Sequence, residues 1–452
     1  MSADAPAHRD ATDAPSPDFI LAPRWTVTVD ADDRVLEDHA VVVRDGRIDA
    51  ILPRAECAAL HPGVEPVTLP DHALLPGLVN AHTHAAMSLF RGLADDLPLM
   101  TWLQDHVWPA EGRWVDERFV HDGAELAMAE MLRGGTTCFQ DMYFHPEVTA
   151  RRAAEAGMRT VVGMILLDFP TPYADGPDEY LAKGLALHDR YRGHPLVTTA
   201  FAPHAPYTVS DQPLERVRTY ADELDVPVHM HVHETQAECR AALDADGERP
   251  LARLQRLGLL SPSFLAVHMT ALDDDEVDLV AASGSHVIHC PEANLKLASG
   301  FCPVQRLVDT GVNIALGTDG AASNNDLDLF GEMRTAALLA KAVSGDAAAL
   351  PAHAALRMAT INGARALALD DRIGSIEPGK AADLIAVDLA EIDTQPLYDV
   401  VSQLVYATGR HHVRQVWVNG RQLVRNGELT TLNGPDIGAR AREWQQRIAT
   451  AR

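Results

Sequence analysis

The chain has 452 residues, of which 47% are hydrophobic and 23% charged, and its formal net charge is −26. That length accommodates a barrel-sized core, and that charge repels nucleic-acid phosphates and anionic lipid, so neither is expected as a partner, whereas a small neutral molecule is. Five cysteines, Cys57, Cys138, Cys239, Cys290 and Cys302, form no Cys-x-x-Cys pair, which fits a reducing cytoplasm without a disulfide framework. No apolar run reaches the roughly 18 residues needed to cross a membrane.

Residues 1–18 are rich in Ala, Asp, Pro and Ser and read as a disordered tail, neither a secretory signal nor an anchor. From Trp25 the pattern becomes that of strands. Trp25–Val29 and His39–Arg44 lead into the turn pair Asp45-Gly46 and a further strand, Arg47–Leu52. The far end repeats this: Ala382–Val387 and Val413–Val418 precede Asn419-Gly420 and another strand. Residues 19–68 and 372–430 are therefore expected to form one small composite β-sandwich domain built from both ends, followed by a C-terminal helix over 431–452.

Between the ends, over residues 69–371, short apolar runs alternate with helical stretches. The runs are Leu74–Val79, Thr136–Met142, Thr160–Leu167, Val197–Ala202, Val226–Val232, Phe264–Met269, His286–His289 and Asn313–Leu316. Helical spacing occupies Glu147–Ala156, Leu214–Leu224, Asp274–Ala282 and Leu327–Ala342. Eight strand–helix units predict a closed (β/α)8 barrel of the TIM type, an α/β fold whose chemistry sits at the C-terminal strand ends.

Polar residues do collect at those ends. The first run ends in Asn80-Ala-His82-Thr-His84, and side chains two apart on a strand share a side, so two imidazoles can chelate one borderline metal ion. The fifth run carries His229, His231 and His233 on one side, and alternation does not choose the ligand among them. Glu234, just beyond, is either a proton shuttle or a favourable acid at a helix start. The sixth run ends at His268, the fourth at His204 of Ala-Pro-His204-Ala-Pro-Tyr207, and the eighth at Gly317-Thr-Asp319, an oxygen ligand or base rather than a simple helix cap. The four lysines, Lys183, Lys296, Lys341 and Lys380, fall outside the strand ends. A carbamylated lysine bridging two metals is thus excluded, and a single divalent ion with an open water position is expected.

Pro76-Gly-Leu-Val-Asn80-Ala-His82-Thr-His84, His231-x-x-Glu234, His268 and Gly317-Thr-Asp319-Gly-Ala-Ala-Ser-Asn-Asn325 together resemble the amidohydrolase superfamily. Within it they are most similar to the chlorohydrolase-like branch of methylthioadenosine/S-adenosylhomocysteine deaminases, over about residues 19–428. The resemblance implies metal ligation by His82, His84, His231 and Asp319, with Zn2+ favoured over Fe2+ or Mn2+. It implies proton transfer by Glu234, water activation by His268 and Asp319, and a purine contact from His204. It further implies a grip on both ribose hydroxyls by Glu111 and an aromatic wall from Trp102 near the 5′ end. Relatives that hold the homocysteine carboxylate use two arginines after the third strand. Met164 stands at one of those positions and the acidic stretch 176–179 near the other, which favours methylthioadenosine or adenosine over S-adenosylhomocysteine. The implied protein is a cytoplasmic deaminase of a nucleoside-like small molecule, and relatives are often homo-oligomers. The rival readings are a hydrolase of guanine or a triazine, and a catalytically dead barrel serving as an interaction protein.

Overall fold

The computed structural model describes residues 18–450; the expected N-terminal tail lies outside them except for Asp18, whose N–H donates to the Val43 carbonyl at 2.9 Å. Both chain ends enter one sheet. Its strands are β1 (Phe19–Val27), β2 (Val35–Glu37), β3 (His39–Arg44), β4 (Arg47–Pro53) and β5 (Val67–Pro76) from the first end. The second end adds β14 (Leu384–Asp388), β15 (Val413–Val418), β16 (Arg421–Arg425) and β17 (Glu428–Leu429). The spatial order is β17-β16-β15-β14-β5-β1-β3-β4, with β2 on β1. The β5/β14 register, Leu384 opposite Pro76 and Val387 opposite Ala73, is the seam where the two ends meet.

The expected sandwich is thus one continuous sheet curled on itself. Its curl brings the two hairpin turns together. At both, the pair has positive φ throughout: Asp45 and Gly46 at 51° and 72°, Asn419 and Gly420 at 49° and 76°. That is the type I′ geometry that Asp-Gly and Asn-Gly favour. A Cβ on Gly46 would stand 2.5 Å from the Asn419 carbonyl oxygen, so the turns can touch only because glycine is there.

The barrel follows in chain order as β6 (Leu78–Thr83), β7 (Thr136–Asp141), β8 (Arg159–Leu166), β9 (Val197–Pro203), β10 (Val228–Val232), β11 (Phe264–His268), β12 (His286–His289) and β13 (Ile314–Leu316). Neighbours are parallel throughout. The Asp319 N–H donates to the His82 carbonyl at 3.1 Å, tying the last strand's exit to the first strand. The expected first barrel run, Leu74–Val79, divides between two sheets. Leu74–Pro76 pair with β14, and the barrel starts at Leu78. A continuous apolar run hides the break, because both sheets bury it; Pro76-Gly77 marks it. Helix Gly434–Ala449 closes the molecule, its Trp444 buried edge-on against Phe119 with Nε1 donating to Asp122 at 2.9 Å. Among the described residues, no helix is long and apolar enough to cross a membrane, and all five cysteines are buried free thiols.

A buried ion pair joins sheet to barrel. Arg159, at the start of β8 and 2% exposed, meets Asp383 with Nε–Oδ2 at 2.7 Å and Nη2–Oδ1 at 3.0 Å. Asp383 also accepts the Asn419 N–H at 2.7 Å, and its carbonyl accepts the Gly77 N–H at 2.9 Å. Removing one partner of a buried pair leaves the other charge uncompensated, at a cost of about 3–5 kcal/mol. Arg159→Met should therefore lower the urea midpoint by that equivalent; a midpoint within error of wild type would show that the pair is dispensable.

A candidate metal centre at the strand ends

His82 and His84 leave β6 on the same side, as strand alternation requires. His231 arrives from β10 and Asp319 from the exit of β13. His82 Nε2 lies 3.3 Å, and His84 Nε2 3.2 Å, from Asp319 Oδ1; His231 Nε2 lies 3.2 Å from His82 Nε2. Nitrogens of His82, His84 and His231 all lie within 4.8 Å of one another.

The outer ring nitrogens show why this cluster suits a cation. His84 Nδ1 faces the Met142 carbonyl at 2.6 Å and His231 Nδ1 the His204 carbonyl at 2.8 Å. A carbonyl only accepts, so each Nδ1 carries the hydrogen and each Nε2 can present a lone pair inward. Asp319 is fixed likewise: Gly320 N–H donates to Oδ1 at 2.8 Å and Ser323 Oγ–H to Oδ2 at 2.7 Å. Burial favours the neutral acid, but His82 and His84 hold this carboxyl well below the usual range. Burial drives His82 down to about 4 and His231 well below the ordinary histidine value. His84 goes the other way: burial opposes its charge, yet the Asp319 bond lifts it to about 9. Asp319 thus calls for one positive charge at Nε2 of His84, and a divalent ion bound there replaces that proton. The residues fit a metal ion.

The three histidines of β10 separate by depth. His229 is buried below the centre, with Nε2 3.2 Å from His82 Nδ1, where it orients a ligand without facing the cavity. At His233 the chain turns through φ +53°, and the ring leaves the centre; its Nε2 accepts the Leu251 N–H at 3.2 Å and Nδ1 lies 3.6 Å from Glu276. The same turn aims Glu234 into the site. Glu234 is buried, its Oε2 3.9 Å from His268 Nε2 and its Oε1 accepting from Ser299 Oγ at 3.3 Å. Burial raises its pKa, as a proton-carrying carboxyl requires. His268 gives Nδ1–H to Asn294 Oδ1 at 2.8 Å, leaving Nε2 for the site. His268 and Asp319 also hold positive φ, at 75° and 60°, the kind of local strain that collects at functional sites.

A cavity of about 310 Å³ opens above these groups. His204, Trp102 and Glu111 line it, as does the metal cluster's open side. Burial, with His84 and His82 nearby, depresses His204 to about 3 and keeps it neutral. The Thr208 hydroxyl, 3.0 Å from its Nδ1, donates to the Ala205 carbonyl at 3.1 Å, so it accepts from Nδ1 and leaves Nε2 an acceptor. Trp102 is buried at the end of helix Leu99–Trp102, and Glu111 projects from helix Trp108–Trp114. Burial pushes the Glu111 carboxyl up to about 7, against the Tyr143 hydroxyl that faces it.

Met164 does not face the cavity. Ile165 and Leu167 do, so alternation turns Met164 outward, where a Cβ on Gly184 of helix Pro177–Tyr191 would stand 2.9 Å from its Cβ. The cavity wall nearby is Phe169–Pro172, and no Lys or Arg lines the cavity among the described residues. Sequence reasoning missed Tyr143, Ser299 and Asn294, for which no local pattern exists. It also missed Glu238, whose carboxylate accepts the N–H groups of His233 and Glu234 at 3.2 and 2.8 Å and so clamps the turn that aims Glu234 into the cavity. The capping spacing Thr235-x-x-Glu238 was a legible signal for that residue.

The ligand assignment makes a sharp contrast. His231→Ala should lose both bound metal and activity. His229→Ala should keep the metal with affinity weakened by roughly 10–100-fold, the usual cost of removing a group that orients a ligand. Elemental analysis of the two purified variants decides it; the reverse order would refute the assignment.

Residues 73–423 match the model of the Amidohydrolase family. A protein of Teredinibacter turnerae named 5-methylthioadenosine/S-adenosylhomocysteine deaminase is 51% identical over 96% of this chain and 98% of its own length. One of the same name from Saccharophagus degradans is 52% identical over the same shares. A crystal structure of an adenosine deaminase from Xanthomonas campestris with bound zinc superposes with a TM-score of 0.94 at 53% identity, covering 97% of this chain and all of that one. Atrazine chlorohydrolase of Arthrobacter aurescens, at 23% identity and a TM-score of 0.88 over 94% of this chain and 99% of its own, shares the fold. With the ligand set and barrel already in place, these likenesses settle the family: the chain belongs to the amidohydrolase family, in the group formed by these deaminases.

Proposed function

We propose that this protein hydrolyses the 6-amino group of adenosine-type nucleosides, 5′-methylthioadenosine and adenosine above S-adenosylhomocysteine, to the inosine analogue and ammonia. The observation that carries this reading is the pairing of two carboxyls across one cavity: Glu234 beside the ligand cluster, and Glu111 on the wall formed by helix Trp108–Trp114. The first suits a ring nitrogen and the second a ribose diol. Close relatives bearing deaminase names and a zinc-bound structural neighbour support it. The catalytic ion is one Zn2+ per chain, with Fe2+ and Mn2+ as the alternatives that three imidazoles and a carboxylate admit. Five buried thiols and the absence of a spanning helix among the described residues support a cytoplasmic setting.

His82, His84, His231 and Asp319 would hold a divalent ion, which would supply the Lewis acidity that draws the attacking water towards ionisation at neutral pH. His268 Nε2 and the Asp319 carboxylate take that water's proton as its oxygen bonds to C6. Glu234, whose carboxyl burial pushes above its usual range, gives a proton to N1, so the ring's developing charge stays localised. The proton taken up by His268 and Asp319 passes to the amino group, the C6–N6 bond breaks and ammonia leaves; the remaining C6 hydroxyl proton returns to Glu234, and a hypoxanthine ring remains. His204 holds the purine through its Nε2 acceptor, Trp102 packs near the 5′ substituent, and Glu111 accepts both ribose hydroxyls.

Glu234→Gln keeps the hydrogen-bonding shape and loses the transferable proton. It should retain metal and fold while kcat falls by ~10²–10⁴; near-normal turnover would return Glu234 to the role of a helix-start acid. Substrate choice follows from the cavity wall. Segment 167–176 has no arginine or lysine, so a homocysteine carboxylate loses its water without a cationic partner. Ranked by kcat/KM, methylthioadenosine and adenosine should exceed S-adenosylhomocysteine, and all three should exceed free adenine. Each charge-assisted hydroxyl bond to Glu111 is worth about 1.5–3 kcal/mol, so Glu111→Ala should depress the nucleosides far more than the base. A free base, guanine or a triazine outrunning the nucleosides would replace this reading with that of an amino-heterocycle hydrolase.

A further inference from the structure

Two short 3₁₀ turns, Ile392–Thr394 and Arg410–His412, lie where the chain leaves β14 and where it enters β15. They bring together three metal-ligating side chains far in sequence from the catalytic cluster. His412 Nε2 is 3.1 Å from Asp393 Oδ1, and His411 Nε2 is 3.7 Å from Asp393 Oδ2. The two imidazole centroids are 3.9 Å apart. One ligand atom from each residue lies within 4.8 Å of the other two. The shallow cavity over them is completed by Asp388, Glu391, Ile392 and Arg414. We propose that Asp393, His411 and His412 form a second metal site, for one divalent transition ion of the Zn2+ or Ni2+ class, which pins together the two ends of the connection between β14 and β15 and takes no part in deamination.

Charge and ligand chemistry select the class. Three carboxylates against one guanidinium favour a cation over an anion. Two imidazoles favour Zn2+, Ni2+ or Cu2+ over Mg2+ or Ca2+, which prefer oxygen alone. The spacings suit coordination: ligand bonds of about 2.0–2.2 Å around one ion place neighbouring donors at separations of this order. His412 is prepared in the manner of the catalytic ligands. Its ring is buried, and its Nδ1 lies 3.2 Å from the Gly409 carbonyl and 3.0 Å from the Gly409 N–H. The backbone therefore houses either tautomer. With Nδ1–H on the carbonyl, Nε2 is a lone pair for a metal; with Nδ1 accepting from the N–H, Nε2–H serves Asp393. The hydrogen bond from His412 also holds the Asp393 carboxyl below its usual range, in its ligating form. His411 and Asp393 are 70% and 56% exposed as side chains, which leaves water to fill the remaining positions and admits an ion from solvent.

The site's place in the fold gives it a task. Asp393 and His411 bracket helix Val400–Tyr406, which packs on the barrel helices Leu329–Ser344 and Ala352–Met358. Cross-linking the two ends of that segment removes loop freedom from the unfolded chain, and an ion that binds only the folded state stabilises it in proportion to its occupancy.

The test uses the full-length enzyme with its catalytic ion in place, titrated with NiCl2 by calorimetry and followed by thermal unfolding and elemental analysis. Wild type should take up one further equivalent of nickel, keep its catalytic ion, and gain in Tm. His411→Ala and Asp393→Asn should each weaken that uptake by at least ~10-fold and remove the gain, with unchanged deamination before nickel is added. These two positions are exposed, so the variants should fold, whereas His412 is buried. Identical titrations of variants and wild type would overturn the proposal. So would no uptake by wild type, or nickel entering only as the catalytic ion leaves.

Discussion

The catalytic end of the barrel depends on where the hydrogens of His84 and His231 reside. Each ring has an outer nitrogen against a backbone carbonyl, of Met142 and of His204, and that contact leaves the inner nitrogen free to present a lone pair towards one point. The carbonyls belong to neighbouring strand ends, so the tautomers are set by the barrel itself. Pairing β6 with β7 places Met142 beside His84, and pairing β9 with β10 places His204 beside His231. His204 thereby serves twice, with its backbone fixing a ligand and its ring facing the cavity. A lapse in strand register would disorder this histidine cluster before it cost the barrel its core.

Burial then assigns opposite charge states to the carboxyls. Asp319 lies against His82 and His84 and stays ionised despite its depth. Glu234 meets one serine hydroxyl and a distant imidazole, so desolvation wins and its proton is retained more readily. Two acids a few ångströms from one cluster are thus pushed to opposite sides of their usual range. Neutral His204 and the uncharged wall Phe169–Pro172 add no charge that would offset that split.

Much of this was legible in the chain. Alternation of apolar runs with helical spacing gave the barrel; Asp-Gly and Asn-Gly gave both hairpin turns; His82-x-His84 gave two clustered imidazoles because a period of two is rigid on a strand. What failed was parity and depth. Alternation placed His229, His231 and His233 alike, yet the strand ends between 231 and 233, and a left-handed residue turns the third away. Met164 was assigned to the substrate through the family pattern, although the same alternation that admits Ile165 and Leu167 sends it outward. The break at Pro76-Gly77 was invisible to hydropathy because both flanking sheets are buried. Tyr143, Ser299 and Asn294 are ordinary residues made functional only by distant strands converging, which no local window contains.

The seam between β5 and β14 has a consequence for synthesis on the ribosome. About 300 residues separate the two strands, so at typical elongation rates β5 waits roughly 15–60 s for its partner to emerge. Through that interval the Leu74–Pro76 edge is a bare row of backbone donors and acceptors, and Arg159 is a buried-side cation whose Asp383 has not yet been made. The nascent barrel must therefore be shielded along one rim until the last strands arrive. A truncated transcript ending between Arg159 and Asp383 would release a chain with both an open edge and an unanswered charge, which marks it for capture by chaperone or protease.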